Sequence, residues 1–136
     1  MREGSLYFDR PVAPLQGTQP VAPVRHDLCF RRAAGASLAA ATEQWTDPHL
    51  RARWLMPMRS ARFTITHAGP AWLEAVETDG IYVVRVAVAF EDDGVLTTVT
   101  VRVTPVPPIT PALLIASGYT DRWEERLYAL TDRLIP

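Results

Sequence analysis

Hydrophobic residues recur along this chain with two periods, and the change between them divides it into elements. Nearest the carboxyl end the period is helical: Trp123, Leu127, Leu130 and Leu134 stand four, three and four residues apart. Asp121, Arg122, Glu125, Asp132 and Arg133 take the opposite face, so this is an amphipathic helix whose apolar stripe needs a surface to lie on. Thr110 is placed to cap it, and Pro111 suits the first turn, where its missing N–H costs nothing. One helix is predicted from Pro111 to Leu134, about 24 residues or roughly 36 Å long. That length crosses a small sheet.

Before it the period is two. Phe63 and Ile65 alternate with Arg62, Thr64 and Thr66 up to the turn Ala68-Gly69-Pro70. Trp72 to Glu77 is the next strand, closed by Asp79-Gly80, a hairpin dipeptide suited to positive φ. From Ile81 to Phe90, Tyr82, Val84, Val86, Val88 and Phe90 share one face. Val83, Arg85, Ala87 and Ala89 share the other, which predicts a central, largely buried strand. Asp92-Asp93-Gly94 turns the chain into a last strand, with Thr97, Val99, Val101 and Val103 inward, before Pro105, Pro107 and Pro108 end the ladder. Tight turns between successive strands demand antiparallel pairing.

The amino-terminal part is less regular. Residues 1–24 carry four prolines and no sustained period, which predicts a surface arm or a frayed tail; a single domain is expected over 25–136. A strand is predicted from Arg25 to Arg32, with Leu28 and Phe30 on one side. A short helix capped by Ser37 follows, with Leu38, Ala41, Thr42 and Trp45 on one face. A second opens at Asp47-Pro48, with Leu50 and Trp54 inward, and stops at Pro57. The fold class is therefore α+β: a curved antiparallel sheet with two short helices after its first strand and a long terminal helix packed across it.

Bulk properties exclude several functions. The 136 residues carry a formal net charge of -1, which offers no field for nucleic acid or acidic membranes. No apolar run approaches the ~18 residues of a membrane span, and the amino terminus lacks a signal-peptide pattern, so the cytoplasm is the expected compartment. The single cysteine, Cys29, forms no internal disulfide and is expected to be a small buried hydrophobe. His26, His49 and His67 show no metal-ligand spacing, and no phosphate loop or nucleophile elbow occurs. No metal or cofactor is expected.

The order of elements, together with the run Trp45-Thr46-Asp47-Pro48-His49-Leu50-Arg51-Ala52-Arg53-Trp54 before Pro57, resembles the START-like, or SRPBCC, superfamily with its helix-grip fold. The same run is similar to the Trp-Thr-Asp-Pro segment of the branch named after the activator of Hsp90 ATPase homologue. Thr97-Thr98-Val99-Thr100-Val101 and Gly118-Tyr119 resemble that branch too. The glycine-pair strand usual there after the second helix is missing, and the second of its paired tryptophans is Leu55. This implies fewer strands and a smaller or more open pocket. The matching motif is structural and carries no catalytic residue with it.

A helix across a curved sheet leaves a concave, mostly apolar space of the kind small molecules occupy. Its expected lining begins with Trp54, Phe63, Ile65 and Trp72. Val86, Val88 and Phe90 continue it on the following strand, and Val99, Val101, Trp123 and Leu127 close it; each of these also suits plain core packing. His67 continues the register of Phe63 and Ile65 towards the mouth, with Glu74 across the turn to orient it as a general base, or it is a solvated histidine beside that turn. Arg85 either faces the cavity and fixes a ligand carboxylate or carbonyl, or faces solvent. The resemblance implies a protein binding a small hydrophobic or amphipathic ligand, with cyclase- or dehydratase-type activity as a variant. The alternative is a protein-interaction module. A homodimer through an edge strand or the arm fits either.

Overall fold

The computed structural model describes residues 27–55, 62–78 and 82–134. The expected arm, Arg25 and His26, the Pro57 stop and the Asp79-Gly80 turn lie outside the described residues. The described chain runs β1 (Leu28–Ala34), α1 (Leu38–Thr46), α2 (Pro48–Leu55), β2 (Arg62–Gly69), β3 (Trp72–Thr78), β4 (Val83–Asp92), β5 (Thr97–Pro105), α3 (Pro111–Ala116) and α4 (Tyr119–Arg133). The strands form one antiparallel sheet in the order β1-β5-β4-β3-β2. Strands β2 to β5 are the expected meander, and β1 returns to pair with β5, Leu28 opposite Val103.

The helices begin where the sequence places caps. Ser37 Oγ accepts from the Ala40 N–H at 3.1 Å, Asp47 Oδ1 from His49 N–H at 2.8 Å, and Thr110 Oγ1 from Leu113 N–H at 3.2 Å. The terminal helix is not continuous, however. Gly118 adopts φ +85°, a left-handed conformation that breaks the α-helical path, so α3 and α4 are separate helices. The Ser117 hydroxyl donates to the Leu114 carbonyl at the break. The apolar stripe itself stands: Trp123, Leu127, Leu130 and Leu134 are all buried.

The helices pack on one face of the sheet. Val84, Val86, Val88 and Phe90 are buried beneath them, while Val83, Arg85, Ala87 and Ala89 on the other side of β4 are exposed. The expectation that β4 is buried on both faces is therefore corrected. The strand is central, but no described element covers its outer side.

The α4 stripe contains one charged residue, Arg126, which is completely buried, as is Glu77 of β3. Arg126 donates from Nη2 to Glu77 Oε2 at 2.6 Å, from Nη1 to Oε1 at 3.0 Å, and from Nε to the Leu55 carbonyl at 2.6 Å. The Tyr119 hydroxyl donates to Glu77 Oε1 at 2.6 Å, and Trp123 Nε1 donates to Tyr119 Oη at 2.9 Å. The guanidinium also lies 4.7 Å from the centre of the Trp123 ring. One network thus joins α4 to β3 and to the end of α2. Removing one partner strands a charge in the core, so Glu77→Gln or Arg126→Met is expected to cost about 3–5 kcal/mol in urea unfolding. The double variant Glu77→Leu/Arg126→Met, with no stranded charge, is expected to cost less than either single change.

Burial, and then the neighbouring Glu77 carboxylate, raise the Tyr119 phenol well above its ordinary range. Because the folded pKa lies above the unfolded one, its stabilisation is complete below about pH 10 and is lost as pH rises further. Urea midpoints of the wild type are expected to fall above that pH, and those of Tyr119→Phe to fall less steeply.

Candidate functional site

The space between sheet and helices is occupied by aromatic rings. The Trp45 ring stacks on Trp123 at 6.1 Å between centroids and meets Trp54 edge-on at 4.5 Å. Phe90 lies 6.2 Å and Phe63 6.4 Å from it, and Phe30 stacks 6.4 Å from Trp123. Trp54, Val86, Val88, Phe90, Val99, Val101, Trp123 and Leu127 all point into this interface, as expected, and are buried in contact with one another. Phe63 and Ile65 pack against its rim. The Trp45 indole N–H finds no acceptor among the described residues.

A larger hollow opens on the opposite, outer face. It is a groove of about 480 Å³ reached by His67, Glu74, Val76, Arg85, Ala87 and Arg102. A second hollow of about 330 Å³ shares Glu74, Ala87 and Arg102 with it and extends it to Trp72 and Ala89. Smaller clefts of about 270 and 220 Å³ lie beside β1, one touching Leu127 and the other Tyr128.

Strand registers explain the groove. On β4, Arg85 faces Thr104 and Val76; Ala87 faces Arg102 and Glu74; Ala89 faces Thr100 and Trp72. Two alanines in line make a low floor, and the long side chains around them make the walls. His67, left open between the pocket mouth and a solvated place beside the turn, is exposed on the outer face. The pairing of β2 with β3 slips between Ile65, opposite Ala75, and His67, opposite Glu74, so Thr66 is an extra residue that turns His67 to the outer face. Trp72 also points outward, 44% exposed, because in β3 it is Leu73, Ala75 and Glu77 that face in. Its indole covers Gly69, where an added Cβ would lie only 2.2 Å from Trp72 Nε1. Of the expected ligand residues, His67, Trp72 and Arg85 therefore come together, on the face opposite the rest.

The charged side chains of the groove are paired unevenly. Arg102 Nη1 lies 3.2 Å from Asp27 Oδ2, and His67 Nδ1 lies 3.5 Å from Glu74 Oε1. Arg85 has no hydrogen-bond or ion-pair partner among the described residues. Cys29, opposite Arg102 on β1, is exposed and not the buried hydrophobe expected of it. Among the described residues no cluster of three His, Cys, Asp or Glu side chains is arranged to hold a metal, and no helix is long and apolar enough to cross a membrane. The Glu77, Tyr119 and Arg126 network escaped the sequence reading, although Arg126 falls inside the stripe of Trp123 and Leu130.

No family model matches the chain, and no curated protein matches it. Solved structures do match. CalU16 from Micromonospora echinospora is 18% identical with a TM-score of 0.62, over 77% of this chain and 71% of its own. Protein Ms6760 from Mycobacterium smegmatis is 12% identical with a TM-score of 0.65, over 85% of this chain and 97% of its own. DynU16, a protein of the dynemicin biosynthetic locus, is 18% identical with a TM-score of 0.65; the match covers 82% of this chain but only 48% of DynU16. The chain has the helix-grip fold. At these identities the likeness extends to architecture alone.

Gly69 sets the position of Trp72 at the end of the groove. Gly69→Ala is expected to push the indole outward and red-shift the tryptophan emission, since Trp45, Trp54 and Trp123 stay buried. The stability cost is expected to stay below about 1 kcal/mol, because the displaced ring already borders solvent.

Proposed function

We propose that this protein binds a small amphipathic molecule, and that the binding site is the outer-face groove. The observation that carries the reading is the Arg85 guanidinium, without a partner among the described residues, at one end of an apolar floor. Fixed cations beside apolar surface are how small sites orient ligands. The helix-grip neighbours, among them a protein of the dynemicin biosynthetic locus, support a ligand-binding or cyclase-like role. Cyclase- or dehydratase-type chemistry here would use His67, held by Glu74, as proton acceptor and Arg85 to polarise a carbonyl. Within the superfamily, the resemblance of the Trp45-Thr46-Asp47-Pro48 run supports a kinship with the branch named after the activator of Hsp90 ATPase homologue.

A protein-interaction module is less well supported. Such a surface would be broad and apolar, whereas this face carries threonines, arginines, Glu74 and His67 around two alanines. The inner residues Trp54, Val86, Val88, Phe90, Val99, Val101, Trp123 and Leu127 are assigned to packing.

Native mass spectrometry of the freshly purified chain is expected to reveal a co-purifying small molecule. On titrating that compound back, perturbed backbone amides are expected to cluster at Glu74, Arg85, Ala87 and Arg102. Arg85→Ala is expected to weaken binding about 10-fold or more, the loss of one charged hydrogen-bonding partner. Perturbations centred on Trp45 and Trp123, with affinity unchanged in Arg85→Ala, would place the ligand inside and overturn the reading.

A further inference from the structure

Resting on that reading, we infer that the ligand is an elongated monoanion: a carboxylate at the Arg85 and Arg102 end, with an apolar, ring-bearing tail reaching Trp72. The two hollows share Glu74, Ala87 and Arg102, so they form one trough along the outer side of β4. Four residues separate Arg85 from Ala89, about 13 Å at about 3.3 Å per residue. A ligand following the trough therefore has a long axis near 10 Å once the arginine reaches inward over the floor. Its body would lie on the methyl groups of Ala87 and Ala89, and its far end would meet the exposed indole, an edge suited to an aromatic or alicyclic ring.

Charge selects the head group. A planar guanidinium presents paired N–H groups that match the two oxygens of a carboxylate. Arg102 already shares its charge with Asp27, which leaves Arg85 as the one cation without a counterion among the described groove residues. One guanidinium without an ion-pair partner answers one negative charge. A dianionic phosphate would bring its second charge towards Glu74, opposite Ala87, and towards Asp27, 3.2 Å from Arg102. At the other end, beside Trp72 and Ala89, the Arg31 guanidinium is engaged, its Nε donating to Thr100 Oγ1 at 3.3 Å.

The test is an amide chemical-shift titration of the full chain with four probes of one shape: phenylbutyrate, its primary amide, phenylbutylamine and phenylbutyl phosphate. Phenylbutyrate is expected to bind at least about 10-fold more tightly than the amide and more tightly than the phosphate, with the amine weakest. In Arg85→Gln, an exposed site that leaves the core intact, the carboxylate is expected to fall to the amide's affinity while the amide is unchanged. Arg85→Lys, which restores charge without the fork, is expected to recover part of the difference. Trp72→Ala is expected to weaken carboxylate and amide equally. Equal binding of carboxylate and amide to the wild type overturns the head-group inference but leaves a groove ligand standing. Preference for the phosphate overturns the monoanion. Shifts confined to residues away from the groove, or no binding of any probe, overturn the inference, while the co-purified compound separately decides the broader reading.

Discussion

Glu77 and Arg126 meet 2.6 Å apart where neither has water to fall back on. Their worth to the fold lies less in net stability than in position, since a buried pair gains by attraction about what it loses by desolvation. Five donors on a rigid fork accept few geometries. Here the fork must reach β3, the end of α2 at Leu55 and the face of Trp123 at once. That combination fixes how α4 is rotated about its axis and where it crosses the sheet. Rotated otherwise, the helix would bury the same leucines but leave one charge without its partner.

The rotation decides what becomes of the space beneath the helix. With Arg126 turned towards β3, Trp123 comes down on Trp45, and Trp45 holds Trp54, Phe63 and Phe90 around it. Large rings meeting edge to face fill a concavity that aliphatic side chains would leave partly open. A helix-grip scaffold, which in outline has room for a ligand under its helix, thus becomes in this chain a sheet whose helical side is core. Among the described residues the wider concave surface lies on the other side, where side-chain length makes it. Ala87 and Ala89 supply the low ground, and Arg85, Arg102, Glu74 and Trp72 supply the height.

Periodicity made most of the fold legible. The valines of β4 and β5, the α4 stripe and the caps at Ser37, Asp47 and Thr110 each follow from a rule that acts within a few residues, and local rules survive into the structure. The misreadings share another cause. Thr66 is indistinguishable from any strand threonine; only its missing partner on β3 makes it a bulge, and the consequence is that His67 changes faces. In β3 one face offers Trp72, Glu74 and Val76, the other Leu73, Ala75 and Glu77. Hydrophobicity favours Trp72 as the inward residue because the acid that displaces it is matched by an arginine 49 positions along the chain. The one helix expected from Pro111 to Leu134 is two, because the positive φ of Gly118 cannot be read from its residue type.

The site was legible in part for the same reason. Arg85 stood out as a charge in a valine-rich strand, and the sequence left its direction open because that depends on which face the helices choose. Once the Glu77 pair fixes the helical face, the parity of β4 sends Arg85 outward, and the bulge and the parity of β3 send His67 and Trp72 after it. Three candidate ligand residues, two of them left open between pocket and solvent, are thereby gathered on the exterior by one long-range ion pair and one extra residue in β2. Breaking the pair need not move them relative to one another, because β3 and β4 are joined by their own ladder from Trp72–Ala89 to Thr78–Val83. The groove and the core beneath it thus share a sheet but not a fastening, and the outer surface is free to vary while the aromatic interior stays fixed.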